Sequence, residues 1–246
     1  MPNRPRIWLT RPLADSEHFA GQLAAHHIQS IIAPVMHIEH VPLAVEDFGP
    51  KPTALLLTSR HAAQALGVMP PAWRNLPAYC VGHATAQAAH AMGFTHTIEG
   101  ESDVLALLPR IAQETNISSR ILYLAGEETR ADIPTLLGAQ GIHVTNLIAY
   151  RASAASALSN DLIDALRHGR VQGIMLFSPR SATLAVQLLA HHHLSDTMKT
   201  VEAYCLSLNV AATAAALGCK RLHTCHSPTA DAMRDLIVSL APQTMV

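Results

Sequence analysis

Lysine is scarce in this chain: Lys51, Lys199 and Lys220 stand against fourteen arginines among 246 residues. Charged residues make up only 14% of the chain, and the formal charge of -1 with a pI near 7.0 leaves no basic field to hold nucleic acid. There is no acidic tail and no polybasic run. Cysteine is also sparse. None of Cys80, Cys205, Cys219 and Cys225 stands in CxxC spacing, and the first two lie inside apolar runs, which argues against a disulfide framework or a zinc site. The opening "MPNRPRIWLT" has no apolar stretch of signal-peptide length, and no run of about 18 apolar residues occurs, so a soluble cytoplasmic protein is expected. The phosphate-cradling GxxxxGK[ST] loop is missing, no GxGxxG follows a strand, and neither GxSxG nor HExxH occurs.

Hydrophobic residues are 49% of the chain, enough for one large core or two cores of roughly 100–150 residues each. Apolar runs of strand length alternate with amphipathic segments of helical length. The strands read Arg6–Thr10, Ser30–Pro34, Thr53–Thr58, Ala78–Gly82, Thr95–Ile98, Arg120–Ala125, Gly173–Ser178, Val201–Leu206 and Arg221–Cys225. Helices are expected at Ala14–His27, His61–Leu66, Ala84–Met92, Val104–Gln113, Ile133–Gln140, Ser181–His191 and Asp231–Leu240. Strands that are apolar on both faces and separated by helices imply parallel sheets covered on both sides, so the fold class is α/β.

Two extended, partly polar runs break the alternation, Met36–Val45 and Ile142–Ser153, with a complete βα series between them. Paired as a thin antiparallel ladder (36–45 with 146–153), they divide the chain into a discontinuous first lobe (1–35 and 154–246) and an inserted second lobe (46–145). A repeat supports the division. "AYCVGHATAQAAHAMGF" from Ala78 matches "AYCLSLNVAATAAALGC" from Ala203 at seven of 17 positions, among them Tyr79/Tyr204, Cys80/Cys205 and Gly93/Gly218. "TSRHAA" from Thr58 likewise answers "FSPRSA" from Phe177, and each half leads to a candidate helix cap, Ser102 and Thr229. The expected architecture is two similar doubly wound parallel-sheet lobes.

In such sheets ligands sit beyond the carboxyl ends of the strands, where helix N-termini present N–H groups. The junctions there are rich in hydroxyls, glycine and arginine: Thr10-Arg11-Pro12, Thr58-Ser59-Arg60, Gly82-His83-Ala84-Thr85, Gly126 to Thr129-Arg130, Ser178-Pro179-Arg180-Ser181 and Ser207-Leu208-Asn209. Arginine binds carboxylate or phosphate by a two-point fork, so this placement suggests a ligand with several anionic groups. Helix capping uses the same residue types, and the concentration at equivalent junctions of both halves favours the ligand reading. Asp132 and Asp231 read as capping or solvated, Tyr79 and Tyr204 as core. "HHH" at His191–His193 closes a helix, where a solvated end is expected rather than a metal site. Tyr150, in "LIAYRAS" at the crossing back to the first lobe, is the one phenol placed to meet a ligand.

Over nearly its whole length the chain resembles the uroporphyrinogen-III synthase family. The resemblance rests on "LTRP", "LLLTS", "VGHATAQAAHAMGF", "LYLAGEETRADIPTLLGAQGIHVTNLIAYR" and "LFSPRSA" in the family's order. It implies two α/β lobes joined by a two-stranded ladder, and a lyase that needs no metal or organic cofactor. It further implies closure of hydroxymethylbilane, a linear tetrapyrrole with eight carboxylates, in the cleft between lobes. Ring A loses its hydroxyl, the substituted carbon of ring D attacks, and a spirocyclic intermediate recloses with ring D inverted. Since the bilane cyclises unaided to the unrearranged isomer, the enzyme selects between geometries, which takes a few kcal/mol. The family's proposed proton donor falls on Tyr150, and its cleft donors fall on Thr58, Ser59, Gly82, Thr85 and Ser178. Arg11, Arg60, His83, Arg130, Pro179, Ser207 and Asn209 complete the candidate substrate contacts. The chain departs from the pattern where Ser207 replaces the counterpart of Gly82 and Val210 that of Thr85, so side-chain contact at Val210 is excluded. The expected partners are the substrate alone, with room for a transient contact with the preceding pathway enzyme; no nucleic acid, no membrane, and a monomer. The rival reading is a two-lobed binding or sensing protein for a small polyanion, which would return its ligand unchanged.

Overall fold

Where both faces of a strand are apolar, both must be covered, and the computed structural model, which describes residues 5–100, 103–129 and 131–240, covers them with helices. The chain opens with β1 (Arg6–Leu9), α1 (Leu13–Ala24), β2 (Gln29–Ile32) and a first crossing strand, β3 (Met36–His40). There follow β4 (Ala54–Leu57), a 3₁₀ helix (Arg60–Val68), β5 (Ala78–Val81), α2 (His83–Ala91), β6 (Thr97–Gly100), α3 (Val104–Glu114), β7 (Arg120–Gly126), α4 (Ile133–Gly138) and the long β8 (His143–Ala154). The last third holds α5 (Asn160–Arg167), β9 (Gly173–Leu176), α6 (Pro179–His191), β10 (Glu202–Cys205), α7 (Leu208–Ala214), β11 (Arg221–Thr224) and α8 (Ala230–Leu240). Residue contacts divide the chain into two units, 1–37 with 153–246, and 38–152.

The first unit holds a five-stranded parallel sheet, ordered β11-β10-β9-β1-β2. Its two faces read off alternate residues. Trp8, Ile174, Leu176, Ala203 and Cys205 pack on the side of α6 and α7, while Ile7, Leu9, Met175 and Tyr204 pack on the side of α1 and α8. The second unit holds the six-stranded order β3-β8-β7-β4-β5-β6, in which all neighbours from β8 to β6 run parallel. β3 is its antiparallel edge: the Val41 N–H donates to the Ala149 carbonyl and the Ala155 N–H to the Val35 carbonyl, each at 2.9 Å. The run read from sequence as one side of a thin ribbon is therefore also a full strand of the sheet, pairing with β7 on one edge and β3 on the other.

The sequence repeat has a structural counterpart in each unit. Cys80 packs with Ala62, Ala86 and Ala89 as Cys205 packs with Ala182, Val210 and Ala214. Gly93 and Gly218 both hold positive φ, +89° and +65°, a backbone conformation that disfavours any side chain and explains why the two copies agree there.

Some elements differ from expectation. The helix expected at His61–Leu66 is a 3₁₀ helix, the strand expected at Thr95–Ile98 starts two residues later, and α5 and α7 are additional. Thr229 does cap α8, accepting from the Ala232 N–H at 3.2 Å. Ser102 lies outside the described residues; Asp103 caps α3, accepting from the Leu105 N–H at 3.0 Å. The three histidines close α6 as expected, but His192 has a task of its own: its Nε2 accepts the Leu158 N–H at 3.0 Å.

Gly173 sits where two neighbouring strands crowd in. A Cβ there would meet Tyr204 Cε2 at 2.6 Å and Ile7 Cδ1 at 2.8 Å, both on residues buried in the sheet's core. Gly173→Ala is expected to destabilise the protein by about 1–3 kcal/mol through overpacking; a urea-unfolding midpoint equal to that of the parent contradicts this packing.

Candidate functional site

The carboxyl ends of β8, β7, β4 and β5 lie side by side in the second unit. Tyr150 stands at the first of these. Pairing of β7 with β8 is regular up to Ala125 opposite Ile148, and then Gly126 faces Tyr150, leaving Ala149 as the extra residue of a β-bulge. A regular strand would turn Ala149 and Tyr150 to opposite faces; the bulge lets both pack against the cluster that holds Leu122 and Leu124. The phenol then fills the space left by the missing side chain of Gly126, where a Cβ would stand 2.7 Å from Tyr150 Cζ and 2.8 Å from its hydroxyl oxygen. The His61 ring lies 5.6 Å from the Tyr150 ring, centroid to centroid, at 57°.

On the adjoining strand end the Thr58 hydroxyl is 3.3 Å from the Tyr123 hydroxyl. Burial raises the Tyr123 phenol above its ordinary range, with Thr58 opposing and Tyr150 adding to the shift. The Ser59 hydroxyl caps the 3₁₀ helix by accepting from the His61 N–H at 3.3 Å, and Arg60 is half-buried at its first turn. Gly82 stands before α2 with φ +77° and ψ 158°, and no side chain caps that helix. His83 is tied to the edge strand, its Nδ1 lying 2.9 Å from Glu99 Oε2. Thr85 is 4% exposed and so faces inward in this structure. Arg130 lies outside the described residues. Asp132 caps α4, accepting from the Thr135 N–H and hydroxyl, which hold its carboxyl below the usual range. A polar cavity of about 240 Å³ opens beside it, lined by Tyr123, Thr129, Asp132 and Asn146 among others.

In the first unit the ends of β10, β9 and β1 are likewise adjacent, yet more of their groups are already engaged. The Thr10 hydroxyl donates to the Met175 carbonyl at 2.6 Å. Arg11 pairs with Asp15 at 2.8 Å and lies over the Phe177 ring at 4.3 Å, which sets the plane of its guanidinium and leaves it partly neutralised. Ser178 caps α6, accepting from the Ser181 N–H at 3.1 Å, with Pro179 at the first helical position. Ser207 caps α7, accepting from the Val210 N–H at 3.4 Å, and Asn209 is exposed. Val210 is buried in the core, as its apolar side chain requires.

The two units therefore differ at the matching loop. Ser207 is extended, φ -152°, and fills its own helix cap; Gly82 has a positive φ and caps nothing with a side chain. A Cβ on Gly82 would meet no atom within 4 Å, so the cost of Gly82→Ala is backbone strain alone, about 1–3 kcal/mol. That loss is expected in urea unfolding, together with a raised KM if the loop binds substrate; an unchanged midpoint contradicts the strained backbone.

Tyr79 and Tyr204 are core residues with phenols pushed up to about 12, mainly by burial. Tyr150 is the half-buried exception among the sheet tyrosines. Sequence reasoning found Tyr150 and named Gly126 among the strand-end junctions without joining the two, and it missed Tyr123 and His61. Gly126 had a signal, since a glycine at a strand end marks a bulge or a close approach. Tyr123 read as strand interior, and His61 carried no signal beyond following a cap. The larger cavity, about 640 Å³, runs along α1 and β2 from Arg6 and touches none of the candidate residues. Among the described residues no three His, Cys, Asp or Glu groups converge as metal ligands.

Each unit is thus a parallel α/β sheet with donor-rich loops at its strand ends, and one of those strand ends seats a tyrosine. A family model described as uroporphyrinogen-III synthase HemD matches residues 17–235. The chain belongs to the uroporphyrinogen-III synthase family, lyases of porphyrin and haem biosynthesis whose substrate is a tetrapyrrole. Among solved structures, uroporphyrinogen-III synthetase from Helicobacter pylori 26695 aligns with a TM-score of 0.63 at 17% identity, over 96% of this chain and 99% of that one. A mutant uroporphyrinogen III synthase from the extremely thermophilic bacterium Thermus thermophilus aligns with a TM-score of 0.56 at 16% identity, over 96% and 98%. At these identities the likeness speaks for the fold. The family match favours the synthase over a binding or sensing protein. No helix among the described residues is long and apolar enough to cross a membrane.

Proposed function

We propose that this chain closes hydroxymethylbilane to uroporphyrinogen III with ring D inverted, and that Tyr150 donates the proton to the departing ring A hydroxyl. The observation that carries the role of Tyr150 is its seat: a bulge turns the phenol onto Gly126 at the end of β7, the strand that lies between β8 and the β4 end bearing Thr58. Donation to a leaving hydroxyl contributes about 10²–10⁴ in rate when the donor is held within hydrogen-bond reach. The uncapped α2 start at Gly82, with Ser59 and Thr58 beside it, offers N–H and hydroxyl groups for substrate carboxylates. Arg11, Arg60, His83, Thr85, Arg130, Ser178, Pro179, Ser207 and Asn209 remain proposed contacts to the same substrate. In the first unit these would act through backbone N–H groups, the stacked Arg11 and the Ser207 hydroxyl, whose oxygen accepts the cap N–H and leaves its O–H to donate, as at Ser59.

The proposal includes a cytoplasmic monomer that meets the preceding pathway enzyme only transiently. Four free cysteines suit a reducing compartment, and exposed apolar side chains such as Leu13, Ile117 and Leu208 fall on separate elements. The test of function is the product isomer. With enzymatically generated hydroxymethylbilane the protein is expected to yield the type III isomer; formation of only type I product would defeat the reading.

A further inference from the structure

We propose that His61 is a positioning residue whose imidazole holds the Tyr150 phenol in its working orientation. The inference rests on the reading of Tyr150 as proton donor. Beside its packing on the cluster of Leu122, Leu124 and Ala149, two features bear on the Tyr150 ring once the bulge has aimed it. Gly126 offers backbone and empty space, which lets the ring in and does nothing to keep it there. The other is the His61 ring, 5.6 Å away and tilted by 57°, within the centroid distance at which two aromatic rings attract. His61 is itself placed by local structure: it follows the cap residue Ser59, whose hydroxyl accepts its N–H at 3.3 Å. The Thr58-Ser59 loop thus has two tasks, presenting hydroxyls at its own strand end and carrying the ring that packs on Tyr150.

A donor that acts on one ring of a tetrapyrrole must meet that ring's oxygen at a set angle, so a loosened phenol lowers turnover more than binding. His61→Ala is expected to lower kcat about three- to tenfold with KM unchanged, and His61→Phe, which restores a ring, is expected to recover most of the loss. In a Tyr150→Phe background, where no proton is left to orient, His61→Ala is expected to cause no further fall. The inference is overturned if His61→Ala leaves kcat unchanged, if His61→Phe fails to recover it, or if the two losses multiply in the double variant. If Tyr150→Phe alone leaves turnover unchanged, the reading of Tyr150 fails first and this inference with it. A loss in Tyr150→Phe beside a normal His61→Ala removes only the inference. Thermal unfolding of each variant, expected to match the parent, separates these results from a folding defect.

Discussion

Tyr150→Phe is expected to lower kcat about 100-fold while leaving the unfolding temperature and KM close to those of the parent. The ring is half-buried against the cluster that includes Leu122, Leu124 and Ala149, and phenylalanine keeps that packing. What is removed is one hydroxyl, and a positioned general acid is worth about 10²–10⁴ in rate. Since KM reflects how the substrate's many carboxylates are held, it does not follow the loss of a group engaged chiefly in the transition state. Quenched-flow or stopped assays of bilane consumption, with the spontaneous type I background subtracted, provide the measurement. Turnover equal to that of the parent takes Tyr150 out of the mechanism.

Gly126→Ala is expected to reach nearly the same loss of turnover by a different route, with the phenol still present. The added Cβ would stand 2.7 Å from Tyr150 Cζ, closer than real contacts allow, so something must give. The backbone of Gly126 is fixed by its pairing with Tyr150 and by the following Glu127 N–H donating to the Tyr150 carbonyl at 3.0 Å. The ring is a side chain with two free torsions and is the part that moves. Stability is expected to fall little, by about 1 kcal/mol, because swinging a half-buried ring outward is cheaper than distorting a sheet. Activity is expected to fall about 30- to 100-fold, because a shift of about 1 Å in a catalytic group can cost two orders of magnitude. A variant that is as active as the parent shows that the observed seat of Tyr150 is not its working position; one that unfolds shows instead that the bulge cannot accommodate a methyl group.

Much of the fold was legible because parallel sheets covered on both sides leave continuous apolar runs. "TALLLT" and "GIMLFS" could hardly be anything but central strands, and β4 and β9 sit in the middle of their sheets. The repeat was legible for a reason the backbone makes plain: Gly93 and Gly218 end equivalent helical segments at positive φ, and Tyr79 and Tyr204 fill equivalent core positions. Short helices were harder to read. α5 spans eight residues and depends on Ser159 accepting the Leu162 N–H at 3.3 Å, a single capping bond in an otherwise polar stretch.

The site was legible in part. Strand-end hydroxyls and glycines can be found from the βα pattern, but whether a hydroxyl is free or spent on its own helix cannot. Ser178 and Ser207 look like Ser59 in sequence, and all three proved to be caps. The bulge was beyond reach, since alternation assigns each strand residue to a face and one inserted residue reverses every later assignment. Tyr150 owes its place beside Gly126 and His61 to that reversal.

The most direct test is a crystal structure with a bilane whose ring A hydroxymethyl group is replaced by a methyl, which cannot leave. The account predicts that methyl within about 3–4 Å of the Tyr150 hydroxyl, the reach a proton donor needs, with carboxylates at the loops of Thr58-Ser59 and Gly82. Ring A bound away from Tyr150, with other groups beside its methyl, would contradict it.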